Sequence, residues 1–238
     1  VMIRCSRFGG GGRITANGGL RANSGGGGGG GRVAVDYASL VGVPAVRIEA
    51  RGQDSQWPAW DYLLRWSQYR WTGQPGTLYF PDTALLREVV TNLHGEISVP
   101  AFSSWTPASL AISNALLRLP AGFDLRVAGD LIAGPGGAIE LMPGSFLQAQ
   151  GDVRLDGGRL VLNGFTQAVL HADLDLANGG RLYAASAPTN GSTGYGATVD
   201  VAGDIRVGSA SWIHPDASGT NGAVVRFRCA NARIAAGG

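Results

Sequence analysis

The chain has 238 residues, of which 45% are hydrophobic and only 15% are charged, so it can form a substantial core but lacks the charge density of an ordinary soluble enzyme surface. Thirty-nine residues are Gly without the Gly-X-Y period of collagen, and apolar residues are too frequent for a disordered linker. The formal net charge of +2 and the scattered Arg residues give no reason to expect a nucleic-acid partner, and no stretch is apolar enough for a transmembrane segment.

The first predicted region, residues 1–52, is a glycine-rich start to the fold. This region contains two glycine runs, at 9–12 and 25–31. Apolar and polar residues alternate directly after the second run, at 32–37, and again at 45–50, a pattern typical of half-buried strands. We expect the runs to pack backbone on backbone or to loop out, with a flexible linker as the alternative. A phosphate-binding loop is excluded, because a strand pattern follows where a helix is needed and the chain has no Lys.

The second predicted region, residues 53–72, is an aromatic insert that begins a short helix at Pro58. Three interpretations stay open: a cap over an open flank of the fold, a surface for subunit association, or a platform on which sugars stack. Its aromatic residues are the first candidates for an interface. They are Trp57, Trp60, Tyr62, Trp66, Tyr69 and Trp71.

The third predicted region, residues 73–238, contains an internal repeat. A Gly-Asp-apolar motif, weakened to Ala-Asp once, places Asp130, Asp152, Asp173 and Asp204 at spacings of 22, 21 and 31 residues. A Gly-Gly marker followed by an alternating strand recurs at spacings of 21 and 22. The long interval contains a polar stretch near 185–197, which predicts a loop protruding from an otherwise regular rung.

A unit of about 21 residues with two or three alternating strands cannot bury its apolar face alone and must stack on its neighbours. The repeat therefore predicts an all-β fold, a parallel right-handed β-helix (β-solenoid). A leucine-rich repeat lacks its consensus here, and a sandwich or jelly roll is the less favoured alternative. The residues predicted to point inward are Leu125, Val127, Leu131, Ile139, Leu141, Val153, Leu155, Leu160 and Leu162.

The column of Asp residues raises the question of chemistry. Converging carboxylates would suggest a Ca²⁺ site or an acid/base pair, but an Asx-type hydrogen bond to the backbone is the simpler interpretation. The three His residues (His94, His171 and His214) have no metal-ligand spacing and no triad partner. We therefore expect no enzyme and no catalytic, cofactor-binding or metal-binding residues, with Ca²⁺ as the one cofactor left open.

The two Cys residues stand in similar contexts, Val-Met-Ile-Arg-Cys5 and Val-Arg-Phe-Arg-Cys229. In a solenoid of about eleven rungs they would lie roughly 50 Å apart, whereas a disulfide needs Cα atoms within about 7 Å. They could meet only between chains, which predicts head-to-tail self-association, and an interface that does not close makes a filament. Tandem repeats within one longer polypeptide are the other explanation of the two similar contexts. Two unremarkable buried thiols are the alternative.

Two segments resemble the very large, Gly-rich repetitive exoproteins of bacteria, which are similar in style to adhesins and filamentous haemagglutinin. Residues 27–37 (GGGGGRVAVDY) resemble that family's GGGGGRIAIYY segment, and residues 73–80 (GQPGTLYF) resemble its GGAGTIYLK segment. The resemblance implies secretion and a β-helical shaft, and it transfers no catalytic residue.

The sequence thus leads us to expect a structural or adhesive protein located outside the cell or on its surface, with a cell-surface or glycan receptor. The alternative is a glycan-binding or glycan-cleaving β-helix that resembles a tailspike.

Overall fold

A computed structural model describes residues 1–19, 27–53, 73–188, 194–217 and 224–238. Every regular element in these ranges is a β-strand, and every pair of neighbouring strands is parallel. The predicted all-β class with parallel strands is therefore confirmed, and the described ranges contain no helix that could cross a membrane. The chain forms two compact units, residues 1–85 with 92–100 and residues 86–91 with 101–238.

Most of the strands are short, and in the second unit turns that contain Gly, Asn or Pro separate many of them. In chain order they are β1 (Met2–Gly9), β2 (Arg13–Thr15), β3 (Arg32–Val41), β4 (Arg47–Glu49), β5 (Thr77–Tyr79), β6 (Val89–Val90), β7 (Leu93–Ser98), β8 (Ser104–Trp105), β9 (Leu110–Ile112), β10 (Leu116–Leu119), β11 (Asp124–Val127), β12 (Leu131–Ala133), β13 (Ala138–Leu141), β14 (Phe146–Ala149), β15 (Val153–Asp156), β16 (Arg159–Leu162), β17 (Gln167–Leu170), β18 (Leu174–Ala177), β19 (Arg181–Ala185), β20 (Ala197–Val201), β21 (Asp204–Val207), β22 (Trp212–Asp216), β23 (Val225–Arg228) and β24 (Asn231–Ile234).

The first unit is a parallel sheet in the order β1-β3-β5-β7, with β2 paired to β4 and β4 to β7. The inward side chains of β3, including Val33 and Val35, are fully buried. The described part of the second glycine run packs backbone against backbone. The N–H of Gly30 donates to the carbonyl of Gln74 at 2.8 Å, and a Cβ added to Gly30 would overlap the backbone of Ala50. Side chains are excluded at that position by the close approach of two backbones.

The second unit contains three parallel sheets, in the orders β10-β13-β16-β19-β22, β8-β11-β14-β17-β20-β23 and β6-β9-β12-β15-β18-β21-β24. Successive strands of each sheet come from every third strand of the chain, which is compatible with a parallel β-helix. Between β10 and β19 the register joins residues 22, 21 and 22 positions apart. All nine residues predicted to point inward are buried, so this part of the prediction is confirmed.

One turn position recurs between the first and second of these sheets. Gly122 and Gly144 occupy it with φ of 70° and 76°, and Phe165 occupies it in the next repeat with φ of 57°. The left-handed region favours glycine, because a Cβ there meets the neighbouring carbonyl oxygen. A half-exposed Phe at this position is therefore an unusual choice.

Candidate functional site

The residues predicted as an interface are only partly within the described ranges. The six aromatic residues of the insert, from Trp57 to Trp71, lie outside them. Cys5 lies on β1 opposite Tyr37, and Cys229 directly follows β23. Both thiols are free and partly exposed, which leaves them accessible to a reagent or a partner.

The Asp residues of the repeat form a ladder of hydrogen bonds, named here the aspartate ladder (Asp130, Asp152, Asp173 and Asp204). The backbone N–H of Asp152 donates to Oδ1 of Asp130 at 3.0 Å. The N–H of Asp173 donates to Asp152 at 3.3 Å, and that of Asp204 donates to Asp173 at 2.8 Å. The expected carboxylate-to-backbone bond is present, but each carboxylate binds the amide of the following repeat instead of its own turn.

The ladder explains why Gly precedes Asp in the motif. A Cβ on Gly151 would overlap Oδ1 of Asp130, and one on Gly203 would overlap Oδ1 of Asp173. Where Ala172 replaces the glycine, the ladder bond has its greatest length, 3.3 Å. The glycine thus makes room for the carboxylate of the preceding repeat.

Arginines neutralise the ladder from the outside. Arg206 lies 2.6 Å from Asp173, 3.2 Å from Asp175 and 3.3 Å from Asp204. The amide of Asp204 and then the guanidinium of Arg206 hold the pKa of Asp173 below its usual value. In the described part of the chain, no group of three or more His, Cys, Asp or Glu side chains could hold a metal ion. Amides and guanidinium groups account for the Asp column without an ion, and the Ca²⁺ alternative stays a prediction.

A second charged cluster surrounds Glu49 in the first unit. Its carboxylate is inaccessible to solvent and forms ion pairs with Arg13, Arg47 and Arg51, the last at 2.8 Å. Burial alone raises the pKa of Glu49, but hydrogen bonds from Arg51, Arg13 and Arg47 outweigh it and lower that pKa to about 2. One carboxylate that holds three guanidinium groups ties β4 to β2, so this cluster is structural.

A third cluster lies on the outward face of β16, β19 and β22 and is named here the Trp212 face (Arg159, Arg181, Tyr183, Trp212 and His214). The register places Arg159, Arg181 and Trp212 side by side on the three strands. On the neighbouring row, Tyr183 stands opposite His214. Alternation along each strand directs these side chains away from the buried Leu160, Leu162 and Leu182.

The rings of the Trp212 face are stacked. Tyr183 and His214 have ring centroids 4.7 Å apart and are nearly parallel, at 10°. Trp212 is 6.5 Å from His214, and the Arg181 guanidinium lies 5.0 Å from the Trp212 centroid. Burial and then the charge of Arg181 lower the pKa of His214, which favours the neutral imidazole. This surface offers flat apolar rings beside hydrogen-bonding groups.

Sequence reasoning did not find the Trp212 face. The 31-residue interval between β19 and β22 conceals that Tyr183 and His214 are opposite each other, and the sequence suggests for His214 only a metal ligand or a triad member, neither with the partners it needs. Alignment of the two alternating segments Arg-Leu-Tyr-Ala-Ala and Trp-Ile-His-Pro-Asp would have revealed the pair. Comparisons of the chain with protein-family models, with curated proteins and with solved structures return no match.

Proposed function

We propose that this chain is part of a structural or adhesive β-solenoid that acts outside the cell or on its surface, in the style of the Gly-rich bacterial exoproteins. The aspartate ladder carries the proposal. From Asp130 to Asp204, each repeat binds the next through sheet hydrogen bonds, buried apolar contacts and a carboxylate-to-amide bond. Repeats joined in this way resist separation, which is the property a shaft needs.

The finer geometry of the proposal is a right-handed coil with rungs of about 21 residues. Register offsets of 22, 21 and 22 residues between β10 and β19 support that size. Parallel β-X-β connections are overwhelmingly right-handed, because the twist of the strands favours that hand.

Single-molecule force spectroscopy tests the mechanical role. The chain is placed between reference domains of known unfolding force, and we expect it to unfold at a higher force than a helical reference. Asp152→Ala should lower that force, because it removes one ladder bond. An unfolding force below that of the helical reference, unchanged by Asp152→Ala, would count against a mechanical role for the chain.

Self-association is a second candidate role, favoured by unpaired strand edges. In the described ranges one edge of β1 and one edge of β24 have no partner strand, and Met2 and Ile234 are 67% and 69% exposed. Such edges readily pair with another chain. On β22, the edge away from β19 carries Pro215, which has no N–H to donate, so pairing there is weakened.

We infer that association would proceed through β1 of one copy and β23 and β24 of another, near Cys5 and Cys229. Electron microscopy at several protein concentrations, with and without reductant, tests this. Regular fibres that are reduced in number by Cys5→Ser or by reductant would support it. A monomer at high concentration with both thiols free to react with a thiol reagent would contradict it.

A further inference from the structure

We propose that the Trp212 face binds a glycan that carries carboxylate groups, such as a chain of uronic acids. This inference rests on the proposed adhesive function and names its ligand class. It concerns a different part of the chain from the aromatic insert, for which sugar stacking is one of three open interpretations.

The rings supply the apolar part of such a site. Trp212 is 37% exposed although it is one of the largest apolar side chains in the described part of the chain. Its neighbour His214 is stacked face to face on Tyr183, with centroids 4.7 Å apart and ring planes at 10°, so these two rings cover each other's faces. Arg181 lies against the Trp212 ring, and within the described part of the chain β22 has no partner strand on the side away from β19. The flat C–H face of a sugar ring can pack on the exposed part of the Trp212 ring, and the imidazole and the phenol hydroxyl can bond to sugar hydroxyls.

The arginines supply the charge. Arg181 lies over the Trp212 ring and makes no ion pair with any described residue. Arg159, next to it on β16, is 45% exposed and is 3.3 Å from Glu140, whose other oxygen is already bound by Arg118 at 2.7 Å. Two adjacent guanidinium groups, one without a carboxylate and one weakly engaged, fit a carboxylate ligand. Planar guanidinium groups bind carboxylates in a bidentate manner.

The number of charges favours a glycan over a nucleic acid. Nucleic-acid binding depends on neutralising many phosphates, typically about six to ten. The Trp212 face has two guanidinium groups available, and Glu140 and Asp216 lie on the same face of the sheet. A uronic acid chain carries one carboxylate per sugar and leaves the hydroxyls for His214 and Tyr183.

Isothermal titration calorimetry with oligogalacturonate tests the proposal. Methyl-esterified oligogalacturonate, which has the same sugars without free carboxylates, and a single-stranded oligonucleotide are the comparison ligands. We expect the parent chain to bind the free acid and to bind the ester at least roughly tenfold more weakly. Arg181→Gln should bind the free acid roughly tenfold more weakly than the parent chain, the usual effect of losing a charge-assisted hydrogen bond. Trp212→Ala should weaken binding of acid and ester alike.

A matched control comes from another sheet, where Arg126 lies 5.1 Å from the centroid of Phe146 but is paired with Asp124 at 2.9 Å. Arg126→Gln and Phe146→Ala should leave glycan binding unchanged. Circular dichroism checks that each variant folds. If Trp212→Ala does not fold, Arg181→Glu replaces it as the second variant of the Trp212 face. Equal affinity for acid and ester, stronger binding of the oligonucleotide, or no binding would overturn the proposal. The force measurements on the shaft would be unaffected by such a failure.

Discussion

Oδ1 of Asp173 lies 2.8 Å from the backbone nitrogen of Asp204, although 31 residues separate the two in the chain. The ladder bond upstream spans 21 residues and is longer, at 3.3 Å. The ten or so additional residues between β19 and β20 therefore leave the stacking of the repeats intact, and the N–H of Ala187 donates to the carbonyl of Gly196 at 3.2 Å across that interval. The hydrogen-bonded ladder, and not the length of each repeat, is the constant feature of this unit.

Removing one carboxylate of the ladder should destabilise the second unit. In Asp152→Ala the N–H of Asp173 loses its acceptor and Arg154 loses its ion pair at 2.7 Å. We expect a loss of about 1–3 kcal/mol in the free energy of unfolding, the usual cost of a polar group left without its partner. Urea unfolding followed by circular dichroism measures it.

Asp156 is the matched control for that variant. It is the last residue of β15, the strand that Asp152 directly precedes, and its carboxylate accepts a bond from the exposed Asn178 side chain at 2.5 Å instead of from the backbone. Asp156→Ala should change the free energy of unfolding by no more than about 0.5 kcal/mol. Equal losses in the two variants would show that the ladder bond has no special role.

The glycine of the Gly-Asp motif should be intolerant of a methyl group. In Gly203→Ala the new Cβ overlaps Oδ1 of Asp173, so the carboxylate or the backbone must move. Overpacking of this kind costs about 1–3 kcal/mol. Gly12→Ala is the control, since a Cβ there meets no atom within 4 Å, and thermal unfolding of the two variants compares them.

The same argument predicts the opposite effect for one substitution. Ala172 occupies the glycine position of the motif, and the ladder bond beside it is the longest of the three. Ala172→Gly should let the carboxylate of Asp152 approach and slow exchange of the Asp173 amide in hydrogen-exchange measurements. Faster exchange of that amide than in the parent chain would contradict the proposed role of the glycine.

Acid should weaken the first unit through Glu49. Because the pKa of the folded carboxyl, about 2, is lower than the ordinary 4.5, its contribution is complete above about pH 4.5 and is lost as the pH falls toward 2. At 1.36 kcal/mol per pKa unit the whole effect is roughly 3 kcal/mol. Hydrogen exchange of the Ile48 and Ala50 amides, which donate to the carbonyls of Asn92 and His94, measures this loss of stability locally.

Glu49→Gln should remove that pH dependence. The neutral amide leaves three guanidinium groups without their carboxylate, so the variant should be destabilised at pH 7 by on the order of 3 kcal/mol and little further at pH 3. Glu96→Gln, in the same unit, is the control and should behave like the parent chain. A variant that keeps the full acid sensitivity of the parent would assign the effect to another carboxyl group.

How much could be read from the sequence depends on the range of each interaction. The period of the Gly-Asp motif predicted the buried residues from Leu125 to Leu162, because alternation and turns are local properties of the chain. The partner of each Asp was not predictable, because it lies one repeat away and depends on how repeats stack. The Trp212 face was missed for the same reason, since Tyr183 and His214 become neighbours only when the strands are aligned across the 31-residue interval.

The turn at Phe165 carries backbone strain that glycine should relieve. Its φ of 57° lies in the left-handed region, which costs an ordinary residue about 1–2 kcal/mol, and Gly144 fills the equivalent position one repeat earlier. Glycine loses more chain entropy on folding, so Phe165→Gly should yield a net gain of roughly 0.5–1 kcal/mol in urea unfolding. Phe165→Ala keeps the strain and removes the ring, so it should show no gain. If both variants are destabilised equally, the ring of Phe165 stabilises the turn and the half-exposed side chain is bound to the protein more firmly than its exposure indicates.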